Sequence, residues 1–129
     1  MKTLLKKGQV IDPINNINDE FDILLEDDII KKVEPSLSLK ESNNSNIIDL
    51  KGKIIVPGLI DLHTHLREPG YEEKETIKTG CEAAAAGGFT KIACMPNTKP
   101  VADNPATVEY IKSKAEATSV KVFPIGSIT

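Results

Sequence analysis

The segment DLHTHLREPG, residues 61–70, holds both histidines of the 129-residue chain, His63 and His65, one residue apart. Imidazole nitrogens ligate divalent transition metals. On a strand, a spacing of two residues sets the alpha carbons roughly 6.5–7 Å apart, close enough for both rings to meet one ion at about 2 Å from each nitrogen. On a regular strand Asp61, His63, His65 and Arg67 share one face, while Leu62, Thr64 and Leu66 share the other. Four ionisable groups on one face of an otherwise apolar strand are costly unless they serve a site or a network that pairs them. An HxH pair by itself recurs by chance, and its neighbours Asp61 and Arg67 are what strengthen the metal reading here. A second stretch, ACMPNTKPV at residues 93–101, sets Asn97 just beyond an apolar run. Taken singly, Asn97 reads as an ordinary turn residue and Arg67 as a solvated charge.

The elements that must position these residues follow from the hydrophobic pattern. Short apolar runs broken by turn residues predict antiparallel β-structure in the first third: TLLKKGQVI, the turn-rich DPINNIN, then FDILLEDDIIKKV with a turn at Asp27 and Asp28. A polar loop is expected at Glu41 to Asn46, followed by two short strands about a Lys51–Gly52 turn. From Leu59 the pattern becomes strand, helix, strand, helix, strand, the rhythm of a parallel α/β sheet. LIDLHTH is the first of these strands. Residues 71–88 predict a helix with acidic residues in its first turn, an apolar face of Ile77, Cys81, Ala84 and Ala85, and a stop at Gly87 and Gly88. FTKIACMPN is the second strand. A second helix follows, with Asn104 as N-cap, Pro105 at its first position and a stripe of Val108, Ile111 and Ala115. VKVFPIGSIT opens a third strand. Ligands bind at the C-terminal strand ends of such sheets, which gathers His63, His65, Arg67 and Asn97 at one mouth.

Composition narrows the function classes. A net charge of −3, with no dense Lys/Arg cluster, offers no footprint for nucleic acid. The start, MKTLLKKGQV, lacks the apolar stretch of a secretory signal, and no run is long enough to cross a bilayer. Cys81 and Cys94, without CxxC spacing, suit packing roles in a reducing compartment, so a cytoplasmic protein is expected.

Joined in order, VPGLIDLHTHLREPG, AAAAGGFT, ACMPNTKPV and the terminal GSIT resemble the N-terminal portion of the dihydroorotase family, in the amidohydrolase superfamily. The resemblance runs along essentially the whole chain and is strongest from Ile55 to Val101; the MPNT stretch favours dihydroorotases over allantoinases and hydantoinases, which share the HxH strand. It implies the first three strands and two helices of a (β/α)8 barrel over residues 57–129, preceded by a small antiparallel β satellite domain over residues 1–56. It also implies reversible hydrolysis of L-dihydroorotate to N-carbamoyl-L-aspartate in pyrimidine biosynthesis. By resemblance His63 and His65 would be zinc ligands, with one or two ions per complete site, and Arg67 and Asn97 would hold the substrate carboxylate. A guanidinium fork and a neutral amide donor suit that group. Asp61 reads either as a residue orienting a ligand or as part of the barrel interior.

A (β/α)8 barrel takes about 250 residues. The remaining ligands and the catalytic acid are therefore expected after Thr129, and the 129 residues alone are expected to be inactive. The expected partners are the small-molecule substrate, the rest of the barrel, and either a homo-oligomer or an aspartate transcarbamoylase. Two other readings compete: a non-catalytic, dihydroorotase-like module that binds a partner, and a related cyclic amidohydrolase of the allantoinase or hydantoinase type.

Overall fold

A computed structural model describes residues 1–38 and 45–128. Most of the expected polar loop, residues 41–44, lies outside the described residues; Ser45 and Asn46 already belong to a strand. The chain divides into two compact units, Met1–Pro57 and Gly58–Thr129.

The first unit is one sheet of β1 (Lys2–Asp12), β2 (Ile17–Glu26), β3 (Ile29–Glu34), β4 (Ser45–Asp49) and β5 (Ile54–Ile55). Strands β1, β2 and β3 form an antiparallel meander, as the alternation of apolar runs and turn residues predicts. The two short strands about Lys51 and Gly52 do not form a hairpin. Both lie parallel to β1 along its free edge, β4 against Lys2–Lys6 and β5 against Gln9 and Val10, so the sheet is mixed. The Leu50–Lys53 turn steps past an irregularity in β1, where the register with β2 shifts between Leu5 and Gly8. Asp22, 3% exposed, stitches that irregularity together. Its carboxylate accepts the Lys7 N–H at 2.9 Å and the Leu37 N–H at 3.0 Å, and lies 3.7 Å from the Lys6 ammonium. Burial alone would raise this carboxyl, but the two amides and Lys6 outweigh it and hold the pKa below the usual value.

The second unit is a parallel three-stranded sheet, β6 (Leu59–Thr64), β7 (Phe89–Cys94) and β8 (Lys121–Pro124), in that order. Its crossovers are α1 (Ile77–Ala86) and α2 (Pro105–Ala115). Ile77, Cys81, Ile92, Cys94, Ile111 and Val122 form the centre of its core. Helix α1 starts later than the acidic run suggested. Thr76 is the N-cap, its hydroxyl accepting the Thr79 N–H while the Thr79 hydroxyl accepts the Thr76 N–H. This reciprocal cap satisfies two amides that Glu72, Glu73 and Glu75 leave unserved, and those acidic residues occupy the turns before the helix. Helix α2 starts as its sequence predicts, with Asn104 accepting the Thr107 N–H and Pro105 next. Gly88, at φ +81°, turns the chain after α1, and its carbonyl accepts the Leu59 N–H at 3.1 Å. On the second sheet Ile60, Leu62 and Phe123 stand exposed. No helix among the described residues is long and apolar enough to cross a membrane.

Candidate active site

Strand β6 does not alternate as a simple strand would. It pairs Asp61 with Ile92 and Thr64 with Cys94, so two residues, Leu62 and His63, stand opposite the single Ala93. This bulge puts Asp61 and Thr64 on the same side, lining a cleft of about 220 Å³ against α1 with Leu66, Gly80 and Ile92. The expected common face of Asp61, His63, His65 and Arg67 is therefore corrected: Asp61 leaves it. Its carboxylate instead accepts the backbone N–H of His63 at 2.9 Å, taking the place of the ladder bond the bulge interrupts. The strand ends at Thr64, whose carbonyl accepts the Met95 N–H at 2.8 Å and whose hydroxyl donates to the Ala93 carbonyl at 3.0 Å.

Beyond the bulge the two imidazoles come together, with ring centroids 5.1 Å apart and ring planes at 66°. Two imidazoles sharing one tetrahedral ion, at a metal–nitrogen distance of about 2.0–2.1 Å, place their centroids about 5 Å apart. The pair therefore fits one half of a metal site. Among the described residues no group of three or more His, Cys, Asp or Glu side chains is assembled to complete it. His65 Nδ1 lies 3.1 Å from Asn97 Oδ1, which joins the end of β6 to the loop after β7. Arg67 is partly exposed, and among the described residues its guanidinium has no hydrogen-bond or ion-pair partner.

The loop carrying Arg67 is held by a group that the sequence reading passed over. Glu68, 7% exposed, accepts the Ile77 N–H at 2.9 Å and the Tyr110 hydroxyl at 2.9 Å, with the Lys114 ammonium at 3.4 Å. One carboxylate thus ties the loop to the first turn of α1 and to α2. Burial would raise its pKa, but the Ile77 amide, Tyr110 and Lys114 prevail and hold it below the ordinary value. The only local trace of this network is that Tyr110 and Lys114 lie four apart on one helix face. Next in the loop, Gly70 sits at φ +97°, where a Cβ would come 2.2 Å from the Lys99 carbonyl oxygen, and the Lys99 N–H donates to the Pro69 carbonyl at 2.9 Å. The two loops bearing Arg67 and Asn97 are thereby docked on each other. Cys94, at the end of β7, is buried in the core, and burial pushes its thiol up to about 11, which suits packing and not chemistry.

The family model for dihydro-orotase-like proteins matches residues 52–129. The chain belongs to the dihydro-orotase-like family. Dihydroorotases of Syntrophus aciditrophicus (strain SB) and Geobacter sulfurreducens (strain ATCC 51573 / DSM 12127 / PCA) are 52% and 53% identical to it over 130 residues. Each match covers 100% of this chain and 30% of the relative, so the chain spans about a third of the curated dihydroorotases it matches. Among solved structures, L-hydantoinase (dihydropyrimidinase) from Arthrobacter aurescens superposes with a TM-score of 0.79 at 24% identity, covering 96% of this chain and 27% of that one. That likeness shows the fold: three strands and two helices of a (β/α)8 barrel, with a β satellite before them.

Proposed function

We propose that these residues form the N-terminal part of a zinc-dependent dihydroorotase, a cytoplasmic enzyme of pyrimidine biosynthesis that interconverts L-dihydroorotate and N-carbamoyl-L-aspartate. The observation that carries this reading is the approach of His63 and His65 at the C-terminal end of β6, with Asn97 against His65 and, in the adjoining loop, Arg67 without a partner among the described residues. His63 and His65 would hold the metal, which when bound supplies Lewis-acid polarisation of a carbonyl and acidification of water. Arg67 would take the substrate carboxylate through two parallel N–H donors, and the Asn97 NH2 would add a neutral one. Asp61 would act through the backbone of His63, whose amide it holds. A third protein ligand and the catalytic acid would come from residues outside this chain, since a catalytic zinc ordinarily has three protein ligands. The 129 residues alone would then be inactive.

A structural likeness to hydantoinases supports a second reading, hydrolysis of another cyclic amide. Identities of 52–53% to dihydroorotases favour the first. Assay of the native protein, captured from its own cells with an antibody to residues 61–70, separates the two. Turnover of L-dihydroorotate, with bound zinc that is lost in His63→Ala, is expected. Turnover of hydantoin or allantoin without any of dihydroorotate would overturn the proposal. Metal-free capture of a partner protein without turnover would point to a non-catalytic module.

A further inference from the structure

The contact between His65 and Asn97 assigns a hydrogen, and with it a direction, to one of the two imidazoles. An amide oxygen accepts hydrogen bonds and never donates one. With Asn97 Oδ1 3.1 Å from His65 Nδ1, the proton of the neutral ring must therefore sit on Nδ1. We propose that Asn97 is a positioning residue that locks His65 in the Nδ1–H tautomer, so that Nε2 carries the free lone pair and is the nitrogen offered to a metal. The inference rests on the metal reading of this site only for the use made of Nε2, and the tautomer itself is independent of any ligand.

The arrangement is built rather than incidental. Asn97 lies on a loop whose path is fixed on both sides. Before it, the Met95 N–H is bonded to the Thr64 carbonyl. After it, the Thr98 hydroxyl donates to the Pro100 carbonyl at 2.7 Å, and the Lys99 N–H donates to the Pro69 carbonyl. The β6 end that carries His65 is held by the same Thr64–Met95 bond, so the two side chains meet across a short, closed frame. Asn97 thus divides its amide. Oδ1 orients the histidine, and the NH2 remains for the carboxylate assigned to it above, which couples substrate capture to the set of the metal ligand. A hydrogen bond to the far ring nitrogen fixes the orientation and raises the basicity of a ligating imidazole, and its loss costs 10–100-fold in metal affinity.

The chain offers a direct test, because two histidines give only four ring nitrogens to assign. Long-range 1H–15N correlation spectra of the metal-free chain, at a pH where both rings are neutral, read the tautomer of each. One imidazole is expected as the Nδ1–H form in the wild type and to shift toward the Nε2–H form in Asn97→Ala, with the other unchanged. Asn97→Asp keeps the acceptor and is expected to keep the Nδ1–H tautomer, which separates loss of the bond from general disturbance of the loop; backbone amide spectra confirm that each variant is folded. Both rings as Nε2–H in the wild type, or a tautomer indifferent to Asn97→Ala, would overturn the proposal. A zinc titration of the same samples adds a second readout, with affinity about 10–100-fold weaker in Asn97→Ala than in the wild type. If the wild type shows the Nδ1–H form yet binds no zinc, the tautomer lock stands and the two histidines do not hold the metal without their third ligand.

Discussion

Glu68 keeps its charge favoured in a place where burial works against it. Its folded pKa lies below the ordinary carboxyl value because the Ile77 amide, the Tyr110 hydroxyl and the Lys114 ammonium favour the charged form. The unfolded chain therefore binds its proton more readily than the folded one. The stability this provides is complete above the unfolded value of 4.5 and is lost as pH falls through the folded value. Replacing Glu68 by Gln keeps the volume but weakens two hydrogen bonds, one of them from the N–H of fully buried Ile77, and removes the ion pair with Lys114. A loss of about 1–3 kcal/mol at pH 7 is expected, shrinking toward acid pH. Urea unfolding of the wild type and Glu68→Gln at pH 7 and pH 4 checks it; a gap that does not narrow in acid would remove the charge from the explanation.

Elements, more than single residues, show what the amino-acid pattern could convey. The order of strands and helices was legible because apolar runs and turn residues are local. The start of α2 was equally clear, since Asn104 and Pro105 carry their capping chemistry in their own side chains. The start of α1 was not, because Thr76 and Thr79 cap each other while the more conspicuous acidic residues sit outside. The approach of Asn97 to the HxH pair could be anticipated from position, since both stand at the C-terminal ends of neighbouring parallel strands. The departure of Asp61 could not, because a bulge at Leu62 and His63 is a property of the pairing with β7 and leaves no mark in β6 alone. The parallel placement of β4 and β5 on β1 was hidden for the same reason. The docking of the loop at Gly70 on Lys99 is another pairing of this kind, and it can be tested. Gly70→Ala must both adopt φ +97° and move the Lys99 carbonyl from 2.2 Å, so a loss of more than about 1 kcal/mol is expected. Thermal melting should show a lower Tm for Gly70→Ala and an unchanged one for Gly126→Ala, where an added Cβ meets nothing within 4 Å.

At the scale of the whole molecule, the chain carries two sheets with separate cores and spans about 30% of its dihydroorotase relatives. The exposed Ile60, Leu62 and Phe123 on the second sheet are the apolar surface that further barrel strands would cover under the proposal above. The two cysteines have a consequence for how that second unit opens. Both belong to its core, at 1% and 2% exposure, and the first unit has none. A thiol reacts as its thiolate, and the buried Cys94, held at about 11, supplies almost none near pH 8, whereas an unfolded cysteine at about 8.5 supplies a good fraction. Labelling by an excess of a thiol reagent in native buffer is therefore a clock for opening that needs no mutation and is blind to the first unit. Cys81 lies on α1 and Cys94 on β7, so equal opening free energies at the two sites are expected if helix and sheet part together. Faster labelling of Cys81 would mean that α1 peels away while the strands that present His65 and Asn97 stay paired.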